Sequence, residues 1–315
     1  MRDDLVLVEQ EIAEQSGAAS EPVSEIARYL LGGGGKRLRP ALLLLSAGYS
    51  GYTGPSAIRL AAVVELIHSA TLIHDDVIDG ADTRRGRPSA NSRWGNHRSV
   101  LAGDWLYMQS FRMALEERKF KVLDILIDLT QNMVEGEVAQ LTSLGRMDLD
   151  EQGVLDLAAR KTACLFSGCA RLGGVLGSLT PDEEQALADY GRYAGVAFQL
   201  VDDLLDFTAS PAQLGKPVLS DLKEGKVTLP LIYALESDGA AGRRLVRTVL
   251  EEKGFHTVRS EEISALVRES GALERTRQLA LDYAERAKAC LNGRAQTEYG
   301  RALVAVPDFV LERER

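Results

Sequence analysis

Apolar positions in this chain recur every three to four residues rather than every two. Leu123, Leu126, Ile127, Met133 and Val134 show the spacing within one segment. That is the period of helices, and the alternation that marks half-buried strands is hard to find. Four long helices are predicted. One covers 55–79 and ends at Gly80, and a second covers 121–144. A third opens on a capping box, Asp148 with Glu151, and runs through Lys161 and Thr162. The fourth opens on Thr180-Pro181-Asp182-Glu183, a capping box with proline in the first helical position, and runs to about Phe207. Its ~27 residues would span ~40 Å. The run Gly32 to Gly35 is a local break between two helices, too short for a domain linker. There is no internal repeat, low-complexity segment or shift of composition. Long helices with short breaks predict one all-α bundle, a single domain over residues 1–315.

Composition agrees. Leu, Ala, Glu and Arg, all good helix formers, are abundant, and aromatics are 6%. A prior of roughly 150 residues per domain would allow two domains, but one large helical domain also fits this length. Hydrophobic residues are 45% and charged residues 26%, which excludes a disordered chain. The net charge of −9 disfavours nucleic acid or an anionic membrane as a global partner, so an anionic ligand needs a local basic cluster. Three cysteines and four histidines are too few for a disulfide framework or a Cys/His zinc site, and the odd cysteine count suits a reducing compartment. No apolar run follows the start Met-Arg-Asp-Asp, so no signal peptide is expected. The longest apolar run, Pro40 to Ala47, is interrupted by Ser46 and falls far short of the ~20 residues that span a bilayer. The expectation is a soluble cytoplasmic protein without a transmembrane segment.

Two segments carry Asp-Asp-x-x-Asp: Asp75-Asp76-Val77-Ile78-Asp79 and Asp202-Asp203-Leu204-Leu205-Asp206. On a helix, positions i and i+4 share a face, so Asp75 projects with Asp79 and Asp202 with Asp206. Like charges at that spacing repel. The flanking residues (Leu72, Ile73, Phe198, Leu200, Val201) are apolar, which argues against an ordinary solvated face. A cation offsets the repulsion, and Mg²⁺ is the natural one, since it takes oxygen ligands and is shared between a few carboxylates and a phosphate. One such cluster alone is as easily an acidic helix end in water; two on separate apolar helices make that reading much weaker. The EF-hand pattern for Ca²⁺ is absent.

Basic residues accompany the carboxylates. Gly35-Lys36-Arg37-Leu38-Arg39-Pro40 follows the glycine break and offers three cations to a diphosphate. A P-loop is excluded, because Leu30 stands in place of its first glycine and Arg37 in place of its Ser/Thr. Asp82-Thr83-Arg84-Arg85-Gly86-Arg87 comes directly after the first aspartate cluster, and Lys216 and Lys226 follow the second. Alone, each is an ordinary basic turn or a surface lysine.

Taken together, Gly34-Gly35-Lys36-Arg37-Leu38-Arg39-Pro40, the first aspartate motif with Arg84-Arg85-Gly86, the second after Gln199, and Gly215-Lys216-Pro217 with Asp221-Leu222 and Gly225-Lys226 run in one order over about two thirds of the chain. In this the sequence resembles the trans-isoprenyl diphosphate (polyprenyl) synthases. The last 85 or so residues carry no such motif. The resemblance implies an all-α fold around a central active-site cavity, and a homodimer. It implies isopentenyl diphosphate and an allylic diphosphate (farnesyl, shorter or longer) as substrates. By position it implies Asp75, Asp79, Asp202 and Asp206 as metal residues, with Asp76 and Asp203 completing the motifs among the catalytic residues, and three Mg²⁺ ions when the allylic substrate is bound. Lys36, Arg39, His68 and Arg85 would hold isopentenyl diphosphate. Arg84, Lys161, Thr162, Gln199, Lys216 and Lys226 would hold the allylic diphosphate, with Lys161 also counted as catalytic. The family's usual base is the departing diphosphate, and His74 is given a packing or supporting role.

The resemblance also bears on product length. A bulky aromatic four or five positions before the first motif blocks the chain tunnel in this family; here those positions are Thr71 and Ala70, both small, and Ile67 one turn deeper is aliphatic. A long product of octaprenyl or heptaprenyl type is expected, with Met133, Leu129 and Met108 as candidates for the tunnel floor. Two other readings compete. A terpene cyclase would lack the Gly-Lys-Arg-x-Arg-Pro segment and carry a mixed Asn/Ser/Glu second motif. A non-catalytic partner subunit would have lost motif aspartates or arginines, and this chain keeps them.

Overall fold

The computed structural model describes residues 1–17, 21–84, 86–209, 218–291 and 296–312. The expected all-α architecture is borne out. The only strands among the described residues are β1 (Thr83–Arg84) and β2 (Arg87–Pro88), a minimal antiparallel hairpin. The Cα packing divides the chain into two compact units, 1–130 with 165–188 and 291–303, and 131–164 with 189–290 and 304–315.

The first unit is organised by α4 (Ser56–Ile78). Around it pack α1 (Arg2–Gln15), α3 (Leu38–Tyr49), the short α5 (Ala90–Trp94) and, most extensively, α6 (Asn96–Glu116). The glycine break separates α2 (Glu21–Leu31) from α3, as expected. Helix α4 is apolar on every side: Leu60, Leu66, Ile67, Ala70 and Ile73 are all fully buried. A helix without a polar face belongs inside a core. By length and composition α4 could cross a membrane, but 67% of its apolar window is already covered by protein. Gly103 lets α6 approach, since a Cβ there would collide with the His74 ring.

Helix α7 (Phe120–Ser143) is more apolar than one core requires. Val122, Ile125, Leu126, Leu129 and Met133 are buried, whereas Ile127, Val134, Val138 and Leu141 face outward. On α6, Leu101, Met108 and Leu115 are likewise exposed at intervals of seven residues.

In the second unit, α8 (Glu151–Ala158) runs into one π-turn, Ala159–Ala163, and the chain continues as α9 (Cys164–Leu176), which belongs to the first unit from Leu165 onward. Two sequence expectations are corrected here. The cap is Asp150, not Asp148: Asp150 is extended and accepts the Gly153 N–H at 2.8 Å, while Asp148 is held by Arg146 at 3.0 Å. The helix also continues beyond Thr162, because a π-turn absorbs one extra residue without breaking the apolar stripe. The fourth expected helix is α10 (Pro181–Thr208), and its Thr180–Glu183 capping box forms as the sequence indicates. The segments 229–238 and 272–289 pack together in the rest of this unit.

Candidate active site

The first aspartate motif occupies the last turn of α4. Asp79 is the C-cap and donates its N–H to the Asp75 carbonyl at 2.8 Å. Asp75 is half-buried and Asp79 exposed. A helix C-terminus carries partial negative charge, so carboxylates there are destabilising, and no basic residue stands in that last turn to compensate. The second motif repeats the arrangement near the end of α10, again with no basic residue in the last turn. The donor set therefore fits a divalent cation. Among the described residues no three Asp, Glu, His or Cys side chains form a ready-made cage.

Asp76 does something different. One residue on, it is turned ~100° from Asp75. It is 1% exposed, and the Arg84 Nε donates to its Oδ1 at 2.7 Å. Burial raises its pKa above the ordinary range, the bond and charge of Arg84 pull it back, and the Asp79 charge adds to the rise. Asp76 thus fixes β1 against α4. Together with Glu65, Leu72, Tyr29, Arg84 and Arg87 it lines a cleft behind the motif. Arg87 closes that cleft by lying 4.2 Å over the Tyr29 ring, whose hydroxyl donates to the Pro88 carbonyl at 2.8 Å.

On the neighbouring face of α4, His68 meets the basic turn. The Arg39 Nη1 lies 3.1 Å from the His68 Nε2. Arginine is always a donor, so Nε2 accepts and the imidazole carries its proton on Nδ1. The guanidinium also sits 5.1 Å over the Phe166 ring. Lys36 is exposed at the start of the same turn. His74 does not join this group: its Nε2 is 3.1 Å from the Val100 carbonyl of α6, and its ring lies against Tyr107. Ala70 is fully buried, and the Thr71 hydroxyl donates to the His68 carbonyl at 2.7 Å. Met108, offered above as a tunnel floor, is 64% exposed on the outer side of α6.

In the second unit a short relay joins two elements. The Thr162 hydroxyl donates to the Gln199 Oε1 at 2.7 Å, and the Gln199 amide donates to the Asp203 Oδ1 at 2.9 Å. Asp203 is buried, which drives its pKa well above the ordinary carboxylate value; Gln199 opposes the rise, and Asp221, Asp202 and Asp206 add to it. Asp206 is also buried, and accepts from the Ser220 N–H and hydroxyl and the Asp221 N–H at 3.2–3.3 Å. It thereby caps α11 (Ser220–Lys223), whose own N-cap residue, Leu219, has no side chain to do so. Asp202 is the half-buried carboxylate of this motif.

Lys161 sits in the π-turn, its Nζ 2.6 Å from the Glu137 Oε2 on α7. Gly136 permits this: a Cβ there would come within 2.9 Å of the Lys161 nitrogen and the Arg160 Cβ. The Lys226 Nζ lies 2.7 Å from Glu224. Arg85 and Lys216, both expected to hold diphosphate, lie outside the described residues. Glu137 was not expected from the sequence; its one signal is its place among the apolar positions of α7.

A family model described as polyprenyl synthetase matches residues 20–267. Octaprenyl diphosphate synthase from Escherichia coli K12 is 40% identical over 99% of this chain and 96% of its own. Among solved structures, a decaprenyl diphosphate synthase from Rhodobacter capsulatus superposes with a TM-score of 0.93 at 39% identity, covering 100% of this chain and 97% of that one. A polyprenyl synthase from Caulobacter crescentus, complexed with calcium and isoprenyl diphosphate, gives 0.95 at 35% identity, covering 100% and 96%. The chain belongs to the polyprenyl synthetase family. The resemblance read from its motifs, and with it the prenyltransferase class, is borne out.

Proposed function

We propose that this chain is a trans-polyprenyl diphosphate synthase, adding isopentenyl diphosphate repeatedly, head to tail, to an allylic diphosphate and releasing diphosphate at each addition. The observation that carries the reading is the pair of aspartate motifs, each at the C-terminal end of a helix whose last turn holds no basic residue, with basic groups from other elements nearby in sequence order. Residues 1–315 are read as one catalytic domain.

Asp75, Asp79 and Asp202 are the carboxylates offered to Mg²⁺, three ions with the allylic substrate bound; Asp206 shares the Asp202 face but also caps α11. When bound, the metal supplies Lewis-acid stabilisation of the charge developing on the departing diphosphate. Arg84, Lys161, Thr162, Gln199, Lys216 and Lys226 hold that diphosphate, and the cations add to the same stabilisation. Lys36, Arg39, His68 and Arg85 hold isopentenyl diphosphate. The allylic C–O bond breaks first, leaving diphosphate and an allylic cation; the isopentenyl double bond then attacks that cation, and the released diphosphate removes the proton. Apolar walls keep water from the allylic cation. The small residues Ala70 and Thr71 leave room for a long tail, which supports a product of octaprenyl type.

The outward stripes on α6 and α7 suit a second copy of the chain, which supports a homodimer. A cytoplasmic setting fits α4 being spent on the core. The test is to incubate the purified chain with labelled isopentenyl diphosphate, farnesyl diphosphate and Mg²⁺, with and without EDTA, and to size the prenyl chains. The expected result is a Mg²⁺-dependent ladder ending at a long chain. No incorporation with farnesyl or shorter primers would overturn a self-sufficient synthase in favour of a partner-dependent subunit or a cyclase.

A further inference from the structure

Arg37 lies in the middle of the basic turn yet cannot serve a ligand. Its φ is +45°, left-handed and unusual for a residue with a side chain. That twist turns the guanidinium inward, where it is 9% exposed. Every arm of it is taken: Nε and Nη2 by Glu9 of α1, Nη2 also by the Leu31 carbonyl at 3.1 Å, and Nη1 by Glu65 of α4. Glu65 is 4% exposed on an otherwise apolar stretch of α4, one turn before His68. An ionised carboxylate in such a place is costly unless it is paired. Two contacts therefore tie the same turn to the same helix, Arg37 to Glu65 and Arg39 to His68. Only the second involves residues read as ligands.

We propose that Glu65, acting through Arg37, is a positioning residue for isopentenyl diphosphate: it holds the left-handed turn at residue 37 so that Lys36 and Arg39, on either side of it, are set for the diphosphate. This rests on reading Lys36 and Arg39 as its ligands. Without Glu65 the guanidinium loses its inner partner, and the unusual backbone twist loses the contact that holds it to α4.

The experiment measures KM for each substrate, kcat and thermal midpoint in Glu65→Gln, in the double variant Arg37→Met with Glu65→Met, and in Lys36→Ala. Glu65→Gln is expected to raise the KM for isopentenyl diphosphate about tenfold while leaving that for farnesyl diphosphate within about twofold. The double variant removes both buried charges together, so it is expected to recover thermal stability. Its KM for isopentenyl diphosphate is expected to stay raised, which separates positioning from bulk stability. If that KM recovers with the thermal midpoint, or if Glu65→Gln leaves it unchanged while Lys36→Ala raises it, the positioning role is overturned. If Lys36→Ala itself leaves it unchanged, the assignment of the turn to isopentenyl diphosphate falls, and this role with it.

Discussion

The second aspartate of the first motif, Asp76, is spent on Arg84: its buried Oδ1 accepts from the arginine Nε at 2.7 Å, on a face of α4 turned away from Asp75. The first motif therefore holds two kinds of carboxylate, an outer pair that we propose meets a cation and an inner one that seats the hairpin. Asp75→Ala is expected to shift the Mg²⁺ concentration needed for half-maximal activity upward. Asp76→Asn is expected to slow turnover tenfold or more, on the order of the 1.4 kcal/mol of transition-state stabilisation such a factor represents, without that shift. Mg²⁺ titrations of the two variants decide it; an equal shift in both would make Asp76 a metal ligand.

Gly136 gives the π-turn its room. A Cβ at that position meets the Lys161 nitrogen and the Arg160 Cβ, each at 2.9 Å, and a backbone atom and a first side-chain carbon cannot swing away. Gly136→Ala is expected to push the π-turn off α7, break the Lys161–Glu137 pair and raise the KM for the allylic substrate several-fold. Unchanged kinetics would mean the turn moves without consequence for Lys161.

Ala70 sits fully buried one residue before Thr71 and five before Asp75. Ala70→Phe is expected to shorten the product, read by chromatography of the released prenyl alcohols. Overpacking costs about 1–3 kcal/mol, so a lower thermal midpoint should accompany it. A destabilised variant with the same product distribution would remove Ala70 from the tunnel.

Burial, with the charges of Asp221, Asp202 and Asp206, raises the Asp203 pKa above its ordinary value near 3.8. The folded protein then binds this proton more readily than the unfolded chain. Its contribution is favourable at low pH and is lost as pH rises through the folded value. In EDTA, the wild type is expected to lose stability relative to Asp203→Asn as pH rises above the ordinary carboxylate value near 3.8. Urea titrations across that rise are the measurement, and parallel curves would show that Asp203 titrates normally.

Leu101, Met108 and Leu115 give α6 an apolar edge at seven-residue intervals. Met108→Asp places a charge in its middle and is expected to yield a monomer in sedimentation velocity. A dimer of undiminished stability would put the subunit contact elsewhere.

The helices were legible because local chemistry determines them. The Thr180–Glu183 box and the apolar spacing along α7 need no partner to be recognised, and the i, i+4 aspartates follow from helical geometry alone. The cap at Asp150 was missed because Asp148 offers the same pattern with Glu151, and only the competing pair with Arg146 decides between them. The π-turn was invisible for a related reason: one extra residue leaves the apolar stripe nearly unchanged, and what stabilises it is the close approach of Gly136.

Order along the chain already carries the residue types for the chemistry: two carboxylate pairs, the basic turn of Lys36 to Arg39, and the small residues before the first motif. Those are statements about spacing, and spacing is carried by the chain. Which of them hold the frame follows only from how separate elements come together. Arg37 with Glu65, Asp76 with Arg84 and Lys161 with Glu137 each join separate elements, and a partner across space leaves no period in the sequence. Burial then sets the outcome, since a charge taken out of water stays only where another element brings it a partner.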